Sequence, residues 1–486
     1  MGRPEGEHRS AQREGDPVTT MGRPEGEHRS TQREGDPVTT MGRPEGEHRS
    51  TQREGSPMSL AMPALRRTLV RAIAAATLLA TAPSFAQEVA PGDSLESLLA
   101  YARGRHPEIR AMRHEADAAA QRIDPAGALP DPMFRAELQN ITNYGNDGSF
   151  SLSPANVGAT KYTISQSIPF WGKRDLRQGV AQADAVQADR RVDATWAELA
   201  AKIKIAYAQY QLAARSEELA REVLTLMGSL ESLAQARYAS GLVPQQDAIR
   251  AQVEQTGMRT DLVMLDSEKR QWQVKLNSLL TRPATAPLAE PRRARALPPP
   301  ARLDPEALAD RLQSGNPLLA VEAARIQAAE RGRELTYRNR YPDFNLGVSP
   351  IQMGSRINEW ELMLEVNIPL QQGSRRAQES EAESMLAAAR SRREATLLQA
   401  RAELDEHLAA LEAARRIDVL IGTHLLPQAS LTLQSALAAY ENGRVDFATL
   451  LEAQRQIRKA KQEREKAIAE AQIRLAEIER LVGDDL

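Results

Sequence analysis

The 486-residue chain contains no cysteine. That absence removes disulfides, thiolate metal sites and a lipid-anchoring cysteine together. Aromatic residues are scarce, at 4%, whereas charged residues reach 26%. Ala, Leu, Gln, Glu and Arg dominate the second half, and such a mixture favours long helices over a globular core. Formal net charge is −2, so no basic excess argues for nucleic acid. Apart from one short run near the start, nothing approaches the ~20 consecutive apolar residues of a membrane helix. Chemistry is equally sparse. Beyond the N-terminal region the histidines are His106, His114, His407 and His424, not spaced as a ligand cluster. Carboxylate pairs such as Asp405 and Glu406 fall on exposed helical faces, and no phosphate loop or nucleophile elbow occurs. The reading is of a protein that is not an enzyme and uses no cofactor or bound metal.

What is present begins with repetition. Residues 1–57 are three near-identical copies of a polar 20-residue unit starting at Met1, Met21 and Met41. Rich in Gly, Pro and charge, they cannot bury a core and are expected to be disordered. Their recurring His8, His28 and His48 lack supporting ligands. A tandem repeat translated from a start placed too far upstream accounts for them, because a leader follows. Within 58–86, Arg66, Arg67 and Arg71 precede the apolar run Ala72–Ala82, and Ser84-Phe85-Ala86 supplies small residues for cleavage. This is the pattern of a secretory signal peptide starting at Met58 or Met62 and releasing a mature chain near Gln87.

The mature region repeats one larger unit. In 161–168, Lys161, Thr163, Ser165 and Ser167 alternate with Tyr162, Ile164, Gln166 and Ile168. A period of two predicts a strand with one polar and one apolar face. Pro169 ends it and Gly172 opens a long run without proline until Pro244. Later, Trp360, Leu362, Leu364, Val366 and Ile368 alternate with Glu361, Met363, Glu365 and Asn367 before Pro369 and Gly373. Met133–Leu138 is a further short alternating stretch, and the polar loop from Thr142 to Ala159 makes it a hairpin with the strand at 161.

Spacing is the stronger sign of duplication. Gly172 to Gly241 is 69 residues and Gly373 to Gly443 is 70. At ~1.5 Å per residue each run is a helix of roughly 100 Å. The return arms span 42 residues, Gly241 to Pro283, and 43, Gly443 to Leu486. Leu219, Val223, Leu226, Leu230 and Leu233 step as a heptad seam, and Leu262, Leu265, Trp272, Leu276 and Leu279 mark the return helix. His106-Pro107 is echoed by Asn316-Pro317, and Tyr238-Ala239-Ser240-Gly241 by Tyr440-Glu441-Asn442-Gly443. The expected division is a first repeat at 87–281, a proline-rich linker at 282–303 and a second repeat at 304–486.

Two strands per half give four, fewer than the roughly eight that close a barrel. An open edge is not viable in lipid, so several chains must share one barrel. Signal peptide, duplicated strand–Pro–Gly–helix units and Y-x-x-G tips together resemble the TolC-type outer-membrane efflux proteins. The resemblance implies a mainly α fold with a small β part: a long α-helical barrel in the periplasm and a transmembrane β-barrel shared among three chains. It implies a homotrimer in outer-membrane lipid that serves as exit duct, working with a periplasmic adaptor protein and an inner-membrane pump. LPDPMF (129–134) and ISQSIPFWGKR (164–174) are similar to the heavy-metal efflux branch. A multidrug or type I secretion duct is the alternative. A periplasmic coiled-coil scaffold leaves the hairpins unexplained, and an adaptor lacks the whole-chain duplication.

Gly241 and Gly443 stand where a helix must reverse, which calls for a residue tolerant of positive φ. The resemblance adds that the tips, with Tyr238, Gly241, Leu242, Gly443, Arg444 and Val445, contact the adaptor. It also matches Asp247 and Tyr440 to gate positions. The family's gate arginine falls two residues past the second glycine, where this chain has Val445, with Arg444 one place earlier.

Overall fold

A computed structural model describes residues 94–142, 150–289 and 294–486, all within one unit, Phe85–Leu486. The tandem repeats and the leader lie outside the described residues, as does the middle of the loop after Thr142. Helices α1 (Leu95–Arg105) and α2 (Pro107–Ala120) meet at the His106-Pro107 break, and the short α3 (Ile123–Gly127) leads to the sheet. Ser94 caps α1, its hydroxyl accepting from the Ser97 N–H at 3.2 Å. The second half begins alike: α6 (Pro305–Gly315) and α7 (Pro317–Arg338) meet at Asn316, whose side chain accepts from the Leu319 N–H at 2.9 Å. In both, proline takes the first helical position, where its missing donor costs nothing.

The long helices have the expected lengths. Helix α4 (Lys173–Ala239) runs 67 residues, about 100 Å, and α5 (Gln245–Leu279) returns over 35. In the second half α8 (Gln372–Leu420) passes through a five-residue π turn, Ile421–Leu425, into α9 (Leu426–Glu441). Helix α10 (Phe447–Val482) then returns over 36 residues. The π turn lies just before Pro427, which has no N–H and whose ring would press on the carbonyl four residues back in a regular helix. Widening that turn lets the helix continue past the proline.

The heptad seam on α4 is present but rotated. Its buried members are Ala220, Val223, Met227, Leu230 and Ala234. Leu226 and Leu233 flank the seam and pack from the side. Small side chains take the closest approach because they let two helices come together. Near the helix reversals these residues form one cluster with Ala251 and Met258 of α5, Tyr440 of α9, and Phe447, Leu450 and Leu451 of α10.

Strands β1 (Met133–Gln139), β2 (Ala159–Ile168), β3 (Phe344–Met353) and β4 (Arg356–Val366) form one antiparallel sheet in that order. Phe134, Ile164, Val348 and Leu362 line up across it, followed by Gln166, Leu346 and Leu364. This face is open, with Leu362 86% exposed. The opposite face is polar and internally bonded: Thr163 meets Ser349 at 2.9 Å, and Lys161 pairs with Glu361. Both alternating stretches therefore fold as read, with polar and apolar residues on opposite faces.

The proline-rich segment is tied down on both sides. The Asn277 amide donates to the carbonyls of Ala284 and Ala286 at 3.1 and 2.9 Å. Arg295 reaches Glu479 at 2.8 Å, and Glu479 also accepts from Lys204 at 2.6 Å.

Candidate functional site

The two helix reversals are built alike. At the first, Gly241 has φ 70° and the Leu242 N–H donates to the Arg237 carbonyl at 2.9 Å. At the second, Gly443 has φ 70° and the Arg444 N–H donates to the Ala439 carbonyl at 2.9 Å. A side chain at either glycine would be strained in this left-handed conformation. Tyr238, Leu242 and Arg444 are exposed, and Val445 is half-buried against the apolar cluster. Helix α10 is capped by Asp446, which accepts from the Thr449 N–H at 2.9 Å and its hydroxyl at 2.6 Å.

Despite that likeness, the paired tyrosines differ. Tyr238 is 46% exposed, whereas Tyr440 is 1% exposed. Tyr440 packs on Phe447 with ring centres 5.4 Å apart, and the first reversal has Gln245 in the place of that phenylalanine. The Arg237 guanidinium lies 5.2 Å over the Tyr440 ring and donates through Nη1 to the Glu441 carbonyl. Arg237 thus ties the end of α4 to the end of α9.

Asp247, in the first turn of α5, is 6% exposed. Burial pushes its carboxyl above the ordinary range against the pull of Arg250, and Asp446 adds to the rise. Burial also raises the Tyr440 hydroxyl, with the Asp247 charge in the same direction and Arg237 opposed. The hydroxyl has no partner of full hydrogen-bonding geometry among the described residues, although it lies close enough to Asp247 for each to shift the other. Asp247 and Tyr440, 193 positions apart in the sequence, are thereby brought together inside one protomer.

Three side chains escaped the sequence reading. Arg237 and Phe447 adjoin the named tip residues, but Arg237 joins segments about two hundred residues apart, which no local period reveals, and Phe447 stacks on Tyr440 across the turn. Gln454 shares the inward face of α10 with Phe447, Leu450 and Leu451 and is buried, yet both ends of its amide lack partners. A buried amide left unsatisfied weakens the packing around it. Above it the hairpins are joined by charge: Arg455 to Glu254 at 2.7 Å and Arg458 to Asp261 at 3.2 Å. The site is a seam between two helical hairpins, closed by stacking and polar ties.

Among the described residues no helix is long and apolar enough to cross a membrane, which says nothing of a β-barrel. The family model described as outer membrane efflux protein matches residues 98–282 and 308–484. No curated protein sequence matches the chain. Among solved structures, the outer membrane protein VceC from Vibrio cholerae has a TM-score of 0.68 at 16% identity, covering 80% of this chain and 96% of that one. The open state of the Neisseria gonorrhoeae MtrE outer membrane channel gives 0.65 at 17% identity, over 81% and 89%. CusC, described in terms of folding and transmembrane channel formation, gives 0.67 at 16% identity, over 81% and 93%. At such identities the likeness is one of fold. The family match takes in both halves of the duplication, and the chain belongs to the outer membrane efflux protein family.

Proposed function

We propose that three copies of this chain close one duct, the outer-membrane exit of a tripartite pump for heavy-metal cations. The observation that carries the trimer is the sheet. Strands β1 and β4 end it with unpaired edges, and four strands cannot enclose a lumen. Each edge finds its partner in a neighbouring copy, with the apolar face turned to lipid and the Thr163–Ser349 face to the lumen. Apolar residues exposed on α5 and α9, Val253, Val263 and Leu431 among them, support contact between copies in the helical part. Native mass measurement in mild detergent should show three chains, each lacking the residues before Gln87. A stable monomer, or chains retaining 1–86, would overturn the strand argument or the cleavage site respectively.

The cargo rests on the two sequence stretches at 129–134 and 164–174. A strain lacking the chain should lose tolerance to transition-metal cations and regain it on complementation. Loss of tolerance to organic antibiotics with metal tolerance intact would make it a multidrug duct.

The tips, with Tyr238, Gly241, Leu242, Gly443 and Arg444 exposed and Val445 half-buried, are the adaptor contact, and the seam behind them is the gate. Asp247 is raised by burial in the closed packing, so that state binds a proton more tightly than a hydrated, opened tip does. Closure is therefore favoured at acid pH and weakens as pH climbs through the raised value. Arg237, Arg250, Asp446 and Tyr440 are the charged and titratable groups around it. Single-channel recordings should show open time rising with pH, and Asp247→Asn should flatten that dependence. An unchanged profile in Asp247→Asn would place the titrating group elsewhere.

A further inference from the structure

Where the sheet joins the helices, an unbroken series of ring contacts leads from the apolar sheet face to a cluster of arginines. Phe344, on the same face as Leu346 and Val348, meets Trp171 edge-on with centres 5.8 Å apart. Trp171 meets Phe170 at 5.2 Å, Phe170 stacks on Tyr341 at 4.5 Å, and the Arg338 guanidinium lies 5.6 Å over Tyr341. Trp171 is 74% exposed. Beside Arg338 is an open hollow of about 430 Å³ lined also by Arg333, Tyr337 and Tyr341.

The basic groups in this hollow are differently engaged. Arg340 is held by Glu379 through two contacts of 2.5 Å, and Glu334 by Arg331 at 3.0 Å. Arg338 faces a ring, and Arg333 Nε is buried with no hydrogen-bond partner among the described residues. On the adjoining helix, Arg375 Nε is likewise buried without a partner. Arg375 does donate through Nη1 to the Asn339 carbonyl, but Arg333 and Arg338 have no carboxylate partner among the described residues. Two such cations beside an exposed tryptophan fit a ligand that is anionic at one end and apolar at the other.

We propose that this hollow is a headgroup site for an anionic phospholipid of the membrane leaflet facing the helices. Arg333 and Arg338 would hold the phosphate and Trp171 and Phe344 the upper acyl chain. The proposal rests on the shared-barrel reading, which turns the apolar face to lipid. Trp171 follows β2 and Phe344 opens β3, the two central strands, away from the sheet edges where neighbouring copies pair.

The test titrates the detergent-solubilised native assembly with phosphatidylglycerol, phosphatidylcholine or inorganic phosphate, counting bound molecules by native mass measurement. Phosphatidylglycerol affinity should fall about fivefold with Arg333→Gln and again with Arg338→Gln, the scale of one basic side chain near an anionic surface. Arg338→Lys should retain most of the binding. Equal affinity in the native and doubly substituted trimers, or equal binding of phosphatidylcholine, overturns the site. Inorganic phosphate binding as tightly as the lipid overturns the lipid assignment. A preparation with no trimer fails at the shared barrel and takes this proposal with it.

Discussion

Arg237→Ala should open the duct at rest, seen as higher single-channel open probability and greater sensitivity of cells to large hydrophilic antibiotics. The side chain makes two ties between the ends of the two hairpins: a cation over the Tyr440 ring and a charged donor to the Glu441 carbonyl. That carbonyl lies at the end of α9, where the helix dipole favours a cation. A partly buried cation–π contact and a charge-assisted hydrogen bond together stabilise closure by about 2 kcal/mol per protomer, roughly thirtyfold in the open–closed balance. Arg237→Lys keeps the charge but loses the planar stacking and should fall between. If Arg237→Ala leaves both conductance and antibiotic sensitivity unchanged, the seam is not the barrier.

Glu479→Ala should lower thermal stability more than removal of any exposed acidic residue of the helices. Its side chain is 1% exposed and accepts from Lys204 at 2.6 Å, Arg295 at 2.8 Å and the Leu486 N–H at 2.9 Å. Deleting it leaves the buried Lys204 with only the more exposed Asp485, and removes the carboxylate partner of Arg295, which keeps its bonds to the Leu486 carbonyl and from Gln472. Removing one partner of a buried pair costs about 3–5 kcal/mol, whereas exposed pairs such as Lys202–Glu198 contribute about 0–1 kcal/mol. Replacing Lys204 and Glu479 together by Met and Leu should recover much of the loss, since the buried Lys204 is then no longer stranded and the charges that remain, Arg295 and Asp485, are the more exposed ones. A melting temperature unchanged by Glu479→Ala would mean that water enters the cluster and its burial is only nominal.

These two residues also show where a sequence stops being informative. The strand at Trp360–Val366 and the 100 Å helices were legible because a period or a spacing lies along one stretch of chain. Strand β3 was harder, since Gly347 and Pro350 interrupt its alternation and proline gives no ladder donor. The seam on α4 was misplaced by one position because large apolar residues were weighted above alanine, while close helix contact favours Ala220 and Ala234. Asp247 and Tyr440 could be named only because the family resemblance matches them to gate positions. Their burial, and the bridging role of Arg237, depend on contacts across some two hundred residues. Glu479 gave no signal at all, being one carboxylate among many on a charged helix until the fold closed around it.

The π turn at Ile421–Leu425 bears on the history of the duplication. Its wider ring takes in an extra residue without a matching advance along the axis. The second half has one residue more than the first between its glycines, 70 against 69. The surplus residue between the glycines can therefore be lodged as girth rather than length. An ancestral insertion would have been neutral in height and costly only in local winding. On that account, excising one residue from 421–425 restores the parental spacing, while the same deletion in α4 leaves one hairpin short.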